Sequence, residues 1–351
     1  MFRREVTPRA LSQISGYLSS MTLSLGPIVR LMTRSIHLDI AIHPVLDTEF
    51  LLSTKCIEEI SFWNDSIDEN NGYEIKHSTI ISQIIFTDAS SHSYGGYILQ
   101  RLGKIICHGK FDSYQQATSS TERELLAIKY CLESFAQIIR HEEVNVRTDN
   151  QAASIIIEVG SSREHLQKVA VQIFELCVTH DIKLSATWIP RQKNQIADYY
   201  SKMTDSDDFS ICHNTFRQIC EAFGQPDYDR FADGINRRSI KFNSKYYCPD
   251  TNGVNAFTQD WSDANLNLIS LLIKHIVDTI KHLESCKAKG ILLVPQWPSS
   301  HFWTFIHNGL YLHSYIKKFI VVKPFYTSPC EHCIFQGFMN FNTLALLIDF
   351  S

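Results

Sequence analysis

Four acidic residues at distant positions in the chain could act together on a phosphate ester. They are Asp88, Glu124, Asp149 and Asp198, and each lies at a predicted strand end or on a predicted helix. Two carboxylates about 4 Å apart repel by roughly 4 kcal/mol at an effective dielectric constant near 20, so a cluster of four needs compensating charge. Mg²⁺ supplies such charge and prefers hard oxygen ligands. Two such ions roughly 4 Å apart can promote in-line displacement at a phosphodiester, which is nuclease chemistry.

The predicted strands decide whether these carboxylates meet. Asp88 ends a strand predicted over residues 84–87, and Asp149 ends another over residues 144–148. If the two strands are parallel neighbours, both side chains lie at the same edge of the sheet. Asp198 falls near the first turn of the last predicted helix of this region, where the helix dipole favours an anion.

Glu124 reaches the same edge only if the long helix begins early enough. It lies one turn before Ile128, at the margin of a stripe of apolar residues that repeats every three or four positions, so it can face the sheet. A capping box at Thr121–Glu124 would occupy its carboxylate instead. Ser119–Glu122 has the same spacing two residues earlier, and a helix that begins there leaves Glu124 available for metal.

Residues 82–202 alternate between strand and helix signals. Three short apolar runs separated by turn residues suggest an antiparallel meander, which is followed by helix, strand, helices, strand and helix. This order predicts an α/β domain with one mixed five-stranded sheet and flanking helices. Residues 1–72 look helical, with a linker over Asn64–Tyr73, and residues 215–351 form a C-terminal α/β region. In that last region we expect a helix over Leu266–Leu283 and a buried strand over Gly290–Pro295.

Composition restricts the class of protein. The 351 residues suffice for two or three domains, and a net charge of −4 provides no global attraction to nucleic acid. No run of about 18 apolar residues suggests a membrane span, and the charged N-terminus lacks a secretory signal, so we expect an intracellular protein of the cytoplasm or nucleus. The ten cysteines show no disulfide spacing. The isolated pair Cys330 and Cys333 lacks the second ligand pair of a typical zinc site.

Taken together, the acidic motifs resemble the ribonuclease H domain of retroelement polyproteins, and most closely that of DIRS-like elements. The resemblance covers residues 82–202 and rests on Phe86–Ser90 with Gly95 and Gly96, Glu124–Ile128, Arg147–Asn150, Trp188–Arg191, Asn194 and Ala197–Asp198. It implies the ribonuclease H fold and an endonuclease that hydrolyses the RNA strand of an RNA–DNA hybrid.

The resemblance also implies roles for individual residues. Asp88, Glu124, Asp149 and Asp198 would be the catalytic residues and the ligands of two Mg²⁺ ions, for which Mn²⁺ could substitute. Ser90 and Asn150, which each follow an acidic strand end, would touch the hybrid backbone, and Arg191 would pair with a phosphate. The expected partners are the hybrid and the other domains of the polyprotein.

Outside these motifs the resemblance is weaker. Many members of the family have a histidine in the loop before the last acidic residue, whereas residues 187–191 contain none. Residues 7–50 resemble the thumb and connecting segment that precedes the nuclease, although an ordinary helical segment explains them equally well. Residues 225–308 resemble the segment that follows it, which is described as similar to adenine-methylating enzymes. The chain has no Pro-Pro motif for holding a flipped base, so we expect a non-catalytic module there.

Two other functions fit the same residues. A decayed copy of the element would keep the fold as a nucleic-acid-binding or scaffold module, without catalysis. A nuclease of the same fold could act on DNA instead of the hybrid. Binding of Mg²⁺ distinguishes an assembled site from a decayed one, because a ligand that binds only the folded state raises its stability.

Overall fold

The structure is a computed structural model that describes residues 5–26, 28–70, 81–101, 103–203, 210–270, 273–323, 325–327, 337–338 and 341–351. It contains two compact units. Unit 1 comprises Met1–Ile106 and Ser113–Ser201, and unit 2 comprises Cys107–Asp112 and Lys202–Ser351. Among the described residues, no helix combines the length and the apolar character that crossing a bilayer requires.

The first part of unit 1 is helical, as the sequence predicts. Its elements are β1 (Glu5–Val6), α1 (Pro8–Ser20), α2 (Thr22–Leu25), α3 (Ile28–Leu31), α4 (Arg34–Ile42), β2 (Phe50–Leu51) and α5 (Thr54–Asn70). Thr7 caps α1 by accepting a hydrogen bond from the amide of Ala10, and Pro8 follows at the first helical position. A linker was predicted over Asn64–Tyr73, but residues 64–70 are helical and belong to α5, so this part of the prediction is wrong. The reason is that Ile60, Trp63 and Ile67 continue the core-facing stripe of the helix.

Residues 83–202 contain a five-stranded mixed sheet with helices packed against it. Its elements are β3 (Gln83–Ala89), β4 (Ser93–Gln100), β5 (Gly103–Lys110), α6 (Ser113–Gln116), α7 (Ser120–Phe135), β6 (Glu143–Thr148), α8 (Gln151–Val159), α9 (Glu164–Thr179), β7 (Lys183–Trp188) and α10 (Gln195–Lys202). The strand order is β5-β4-β3-β6-β7, with β3 antiparallel to β4 and parallel to β6, and β6 parallel to β7. This arrangement confirms the predicted fold class and the predicted succession of strands and helices along the chain.

The apolar stripe of α7 holds the helix against this sheet. Leu125, Ile128, Leu132 and Phe135 are all completely buried, as their spacing predicts. The helical N-terminal segment also contacts this domain through α9, where the side-chain amide of Gln167 donates a 2.7 Å hydrogen bond to the carbonyl of Leu31.

Unit 2 contains the C-terminal α/β region. Its elements are β8 (Ser210–Ile211), α11 (His213–Phe223), β9 (Tyr228–Asp229), β10 (Lys241–Phe242), β11 (Asn267–Ile269), α12 (Ile276–Ser285), β12 (Lys289–Pro295), β13 (Ile316–Val322), β14 (Phe325–Thr327), β15 (Gly337–Phe338) and β16 (Thr343–Asp349). A six-stranded sheet has the order β10-β9-β11-β12-β16-β13, and β15-β14-β8 form a smaller sheet.

One helix predicted for unit 2 is wrong over half its length. The apolar residues Leu268 and Ile269 belong to β11, which pairs in parallel with β12, and the helix begins only at Ile276. A short apolar run suits a buried parallel strand as well as a helix, so periodicity alone could not separate the two. The strand predicted over Gly290–Pro295 is present as β12. Cys330 and Cys333 lie outside the described residues, and the division into segments 1–72, 82–202 and 215–351 stays a prediction.

Candidate metal centre

Two acidic residues meet at one edge of the five-stranded sheet because β3 and β6 are parallel neighbours. In their ladder Phe86 lies opposite Arg147, so both strands end at the same edge. Asp88, near the end of β3, is 4% exposed. Asp149 follows the last residue of β6 and is partly buried.

The start of α7 brings a third carboxylate to this edge. Ser119 is the N-cap, and its hydroxyl accepts a 3.2 Å hydrogen bond from the amide of Glu122. This confirms the earlier of the two possible helix starts and leaves the Glu124 side chain pointing into the buried face of the helix. The carboxylate of Glu124 accepts hydrogen bonds from the Ala89 amide and, at 3.4 Å, from the Thr148 hydroxyl. Glu124 therefore lies between the ends of β3 and β6.

The three carboxylates form a compact group. One oxygen atom from each of Asp88, Glu124 and Asp149 lies within 4.8 Å of the other two. Burial raises the pKa of Glu124 well above its usual value, and the nearby charges of Asp88 and Asp149 raise it further. A set of carboxylate oxygens that repel one another in this way fits a hard divalent cation, whose charge would remove the repulsion.

Asp198 lies outside this group of three. It occupies the first turn of α10, as predicted, and its Oδ1 atom forms a 2.9 Å ion pair with Nη2 of Arg191. The bond to Asp198 is the main reason why the pKa of the exposed Arg191 guanidinium is raised, and the charges of Asp149 and Asp88 add to it. Arg191 and Asp198 thus lie close enough to the group to interact with it electrostatically, with Arg191 as the counter-charge of Asp198.

A buried asparagine fixes the helix that carries Asp198. The Asn194 side-chain nitrogen donates a 2.8 Å hydrogen bond to the carbonyl of Thr87, the residue before Asp88. Asn194 is 1% exposed, and the Asp198 amide donates to its carbonyl oxygen. The side chain of Asn194 thus ties the start of α10 to β3.

Ser90 and Asn150, the other two predicted substrate contacts, form hydrogen bonds with nearby backbone atoms. The Ser90 hydroxyl bonds the carbonyl and the amide of Ser93 in the turn between β3 and β4, at 2.9 and 3.0 Å. Asn150 caps α8, because its side-chain oxygen accepts a 2.9 Å hydrogen bond from the Ala153 amide. Both residues lie at the acidic edge, and their contact with nucleic acid stays a prediction.

Some residues that shape the site have no motif in the sequence. Arg123 donates from Nε to the carbonyl of Ser90 at 3.1 Å and from Nη1 to the carbonyl of Thr118, so it links the β3–β4 turn to the segment before α7. Its position next to Glu124 in the chain was the only signal that could have pointed to it. The hydroxyl of Ser201 on α10 forms a hydrogen bond with Asp88.

Comparison with known proteins agrees with this geometry. Residues 82–175 match the protein family described as the RNase H-like domain found in reverse transcriptase. None of the curated proteins matches the chain.

Several solved structures are similar to this chain over 34% of its length. RNase H1 from the halophilic archaeon Halobacterium salinarum NRC-1 is 20% identical, with 92% of that chain covered and a TM-score of 0.28. LC11-RNase H1, solved in complex with an RNA/DNA hybrid, is 20% identical, with 93% covered and a TM-score of 0.30. The N-terminal RNase H domain of rv2228c from Mycobacterium tuberculosis is 16% identical, with 94% covered and a TM-score of 0.29.

The family match and the five-stranded mixed sheet concern the same part of the chain. The match begins just before β3 and ends within α9, so it includes the elements that carry Asp88, Glu124 and Asp149. This chain therefore contains an RNase H-like domain of the type found in reverse transcriptase.

Proposed function

We propose that this domain is a divalent-metal-dependent endonuclease that hydrolyses the RNA strand of RNA–DNA hybrids as part of a retroelement polyprotein. The observation that carries the proposal is the group of Asp88, Glu124 and Asp149, whose oxygen atoms lie within 4.8 Å of one another at the edge of an RNase H-like sheet. Asp88 and Glu124 are buried and Asp149 is partly buried, so their carboxylates repel one another, and a bound divalent cation would remove that repulsion.

Each residue has a distinct part in the proposed site. Asp88, Glu124 and Asp149 hold the cations, and Asp198 joins them at the margin of the group. Two Mg²⁺ ions, or Mn²⁺ in their place, would supply the positive charge needed at the scissile phosphate. The exposed Arg191 guanidinium, which pairs with Asp198 in the free chain, would bind a phosphate oxygen of the hybrid, and the Asp198 carboxylate would then be available as a cation ligand. Ser90 and Asn150 border the acidic edge and contact the nucleic-acid backbone.

A non-catalytic nucleic-acid-binding module is the second candidate. The 2.9 Å ion pair between Arg191 and Asp198 favours it, because that pair neutralises the fourth carboxylate without a metal. The histidine that many family members carry before the last acidic residue is also missing from residues 187–191. In this case the domain would still bind the hybrid but would not cleave it.

We propose a structural role for unit 2. Its Arg230 side chain is completely buried and donates hydrogen bonds to the side chains of Asn267 at 2.6 Å, Asn243 at 3.0 Å and Asp263. A guanidinium whose donors are used in this way stabilises a core, since breaking a buried charged network leaves polar groups unpaired. We therefore propose that unit 2 is a non-catalytic, structural module.

Cleavage of labelled substrates by the full chain tests the proposed activity. RNA–DNA hybrid, duplex RNA and duplex DNA are incubated separately, with Mg²⁺ or with EDTA. We expect cleavage of the RNA strand of the hybrid only, and only with Mg²⁺. Asp88→Asn should reduce the rate by about 1000-fold or more, which corresponds to about 4 kcal/mol in activation free energy. Asp181→Asn is the matched control, because Asp181 is an exposed acid of the same domain that pairs with His141.

The outcomes separate the candidates. Hybrid that binds but stays intact with Mg²⁺ would support the non-catalytic module and contradict the nuclease. Preferential cleavage of duplex DNA would show that the substrate is DNA and not the hybrid. Equal cleavage rates for the wild type and Asp88→Asn would show that the acidic group takes no part in catalysis.

A further inference from the structure

The glycine opposite Asp88 allows a helix backbone to approach the metal centre closely. Gly95 on β4 pairs with Asp88 on β3 in the antiparallel ladder. A Cβ atom at Gly95 would lie 2.3 Å from the amide nitrogen of Ser201 and 2.4 Å from the carbonyl carbon of Tyr200. Real Cβ atoms do not approach other atoms so closely, so only glycine permits the end of α10 to rest on β4 at this point.

This close approach places Ser201 against Asp88. Ser201 is completely buried, and its carbonyl oxygen accepts a 2.6 Å hydrogen bond from the Ser93 hydroxyl on β4. The Ser201 hydroxyl oxygen contacts Oδ2 of Asp88 and lies 2.9 Å from the carbonyl oxygen of Asp198. A hydroxyl has one proton to donate, and an ionised carboxylate is the stronger acceptor, so the proton goes to Asp88.

We propose that Ser201 is a positioning residue for Asp88, and that it sets the orientation in which this carboxylate meets a divalent cation. The inference rests on the proposed function, because it assumes that Asp88 is a metal ligand. A carboxylate rotates readily about its last side-chain bond unless a partner fixes it. Here the donor lies on a helix that Gly95, Ser93 and Asn194 hold against the sheet. Partners of this kind typically change metal affinity or activity about 10–100-fold when they are removed.

The geometry also explains why α10 belongs to the site although Asp198 lies outside the group of three. Ser201 is one turn beyond Asp198 on the same helix, and its hydroxyl contacts Asp88, the first of the four predicted metal ligands. The helix thus contributes a donor that orients Asp88 in addition to its own carboxylate. Loss of the hydroxyl should therefore alter cation binding even when the acidic residues are intact.

Calorimetric titration of the full chain with Mn²⁺, in the absence of nucleic acid, tests the proposal. We expect Ser201→Ala to weaken Mn²⁺ binding about 10-fold or more while the protein stays folded. Ser154→Ala is the matched control, because Ser154 is also a buried helical serine, but its hydroxyl donates to the carbonyl of Gln151 within α8. That variant should bind Mn²⁺ as the wild type does.

A second variant covers the case in which Ser201→Ala does not fold. Ser201→Cys keeps a side chain of similar size, but a thiol is a weak hydrogen-bond donor. We expect its Mn²⁺ affinity to lie below that of the wild type by several-fold. Melting curves measured in EDTA report on folding separately.

Each result has a definite meaning. Mn²⁺ affinity within twofold of the wild type in a folded Ser201→Ala or Ser201→Cys overturns the inference, and a lower melting temperature with unchanged affinity shows a purely structural serine. If the wild type itself binds no Mn²⁺, the metal centre of the proposed function fails, and Ser201 has no ligand to position.

Discussion

Replacing Asp149 with asparagine should stabilise the protein in the absence of cations while it weakens cation binding. In the cation-free protein the oxygen atoms of Asp88, Glu124 and Asp149 lie within 4.8 Å of one another. Asparagine removes one negative charge from this group and keeps nearly the same shape. The backbone carbonyl of residue 149 still accepts the 3.0 Å hydrogen bond from the Trp188 indole.

The size of the effect follows from the spacing and the solvent exposure of the group. Two unit charges 4.8 Å apart repel by about 0.9 kcal/mol at the dielectric constant of water and by about 3.5 kcal/mol at an effective value of 20. The raised pKa of Glu124 moves that residue toward its uncharged form, so Asp88 is the main charge that Asp149 opposes. Asp149 also lies at the N-terminus of α8, where a negative charge gains about 0.3–1 kcal/mol. The net gain expected from Asp149→Asn is about 1–2 kcal/mol.

Urea denaturation in EDTA and in Mg²⁺ measures both parts of this prediction. In EDTA, Asp149→Asn should have the larger free energy of unfolding. Mg²⁺ at about 100 times its dissociation constant should add about 2.7 kcal/mol to the wild type and much less to the variant. Asp181→Asn should match the wild type in both conditions. A variant that is less stable than the wild type in EDTA, or that gains as much from Mg²⁺, would refute the assignment of these carboxylates as a repelling cation site.

Three further predictions concern the supports of the fold and unit 2. Burial raises the pKa of Asp229 to about 6, so its contribution to stability is present below about pH 4 and is lost as the pH rises through 6. Of the full loss of about 3 kcal/mol, about 2 kcal/mol falls between pH 4.5 and 7.5, and Asp229→Asn should abolish that part, as urea denaturation at these two pH values would show. Gly95→Ala should destabilise by about 3 kcal/mol or more because of the clash with α10, whereas Gly16→Ala, which has open space, should be neutral or stabilising in thermal melts. Ser119→Ala should remove the cap of α7 and reduce stability by about 1 kcal/mol in the same assay.

The arrangement of the sheet was predictable because local patterns determine it strongly. The buried stripe of α7 follows from helical periodicity, the strand that ends near Asp88 follows from a short apolar run, and the strand that precedes Asp149 follows from the alternation of apolar and polar residues. Three of the four predicted metal ligands come together as a consequence of that topology. Two neighbouring parallel strands leave their final residues at one edge, whatever the sequence between them.

Contacts that depend on the close approach of distant segments were not predictable. The hydrogen bond between Ser201 and Asp88 exists only because Gly95 lets α10 rest on β4. No local sequence pattern indicates that these two residues bring the helix and the strand together. The ion pair of Arg191 with Asp198 likewise depends on where the chain turns before α10. In unit 2, β11 was mistaken for part of a helix because its apolar residues are buried on both faces of a parallel sheet.

Anomalous diffraction from crystals soaked in Mn²⁺ tests the metal centre most directly. We predict an anomalous peak within bonding distance, about 2–2.5 Å, of carboxylate oxygens of Asp88 and Asp149, with Glu124 completing the site, and loss of that peak in Asp88→Asn. Wild-type crystals that show no peak at these carboxylates, at a Mn²⁺ concentration that supports cleavage, would contradict the assignment of this acidic group as the catalytic metal centre.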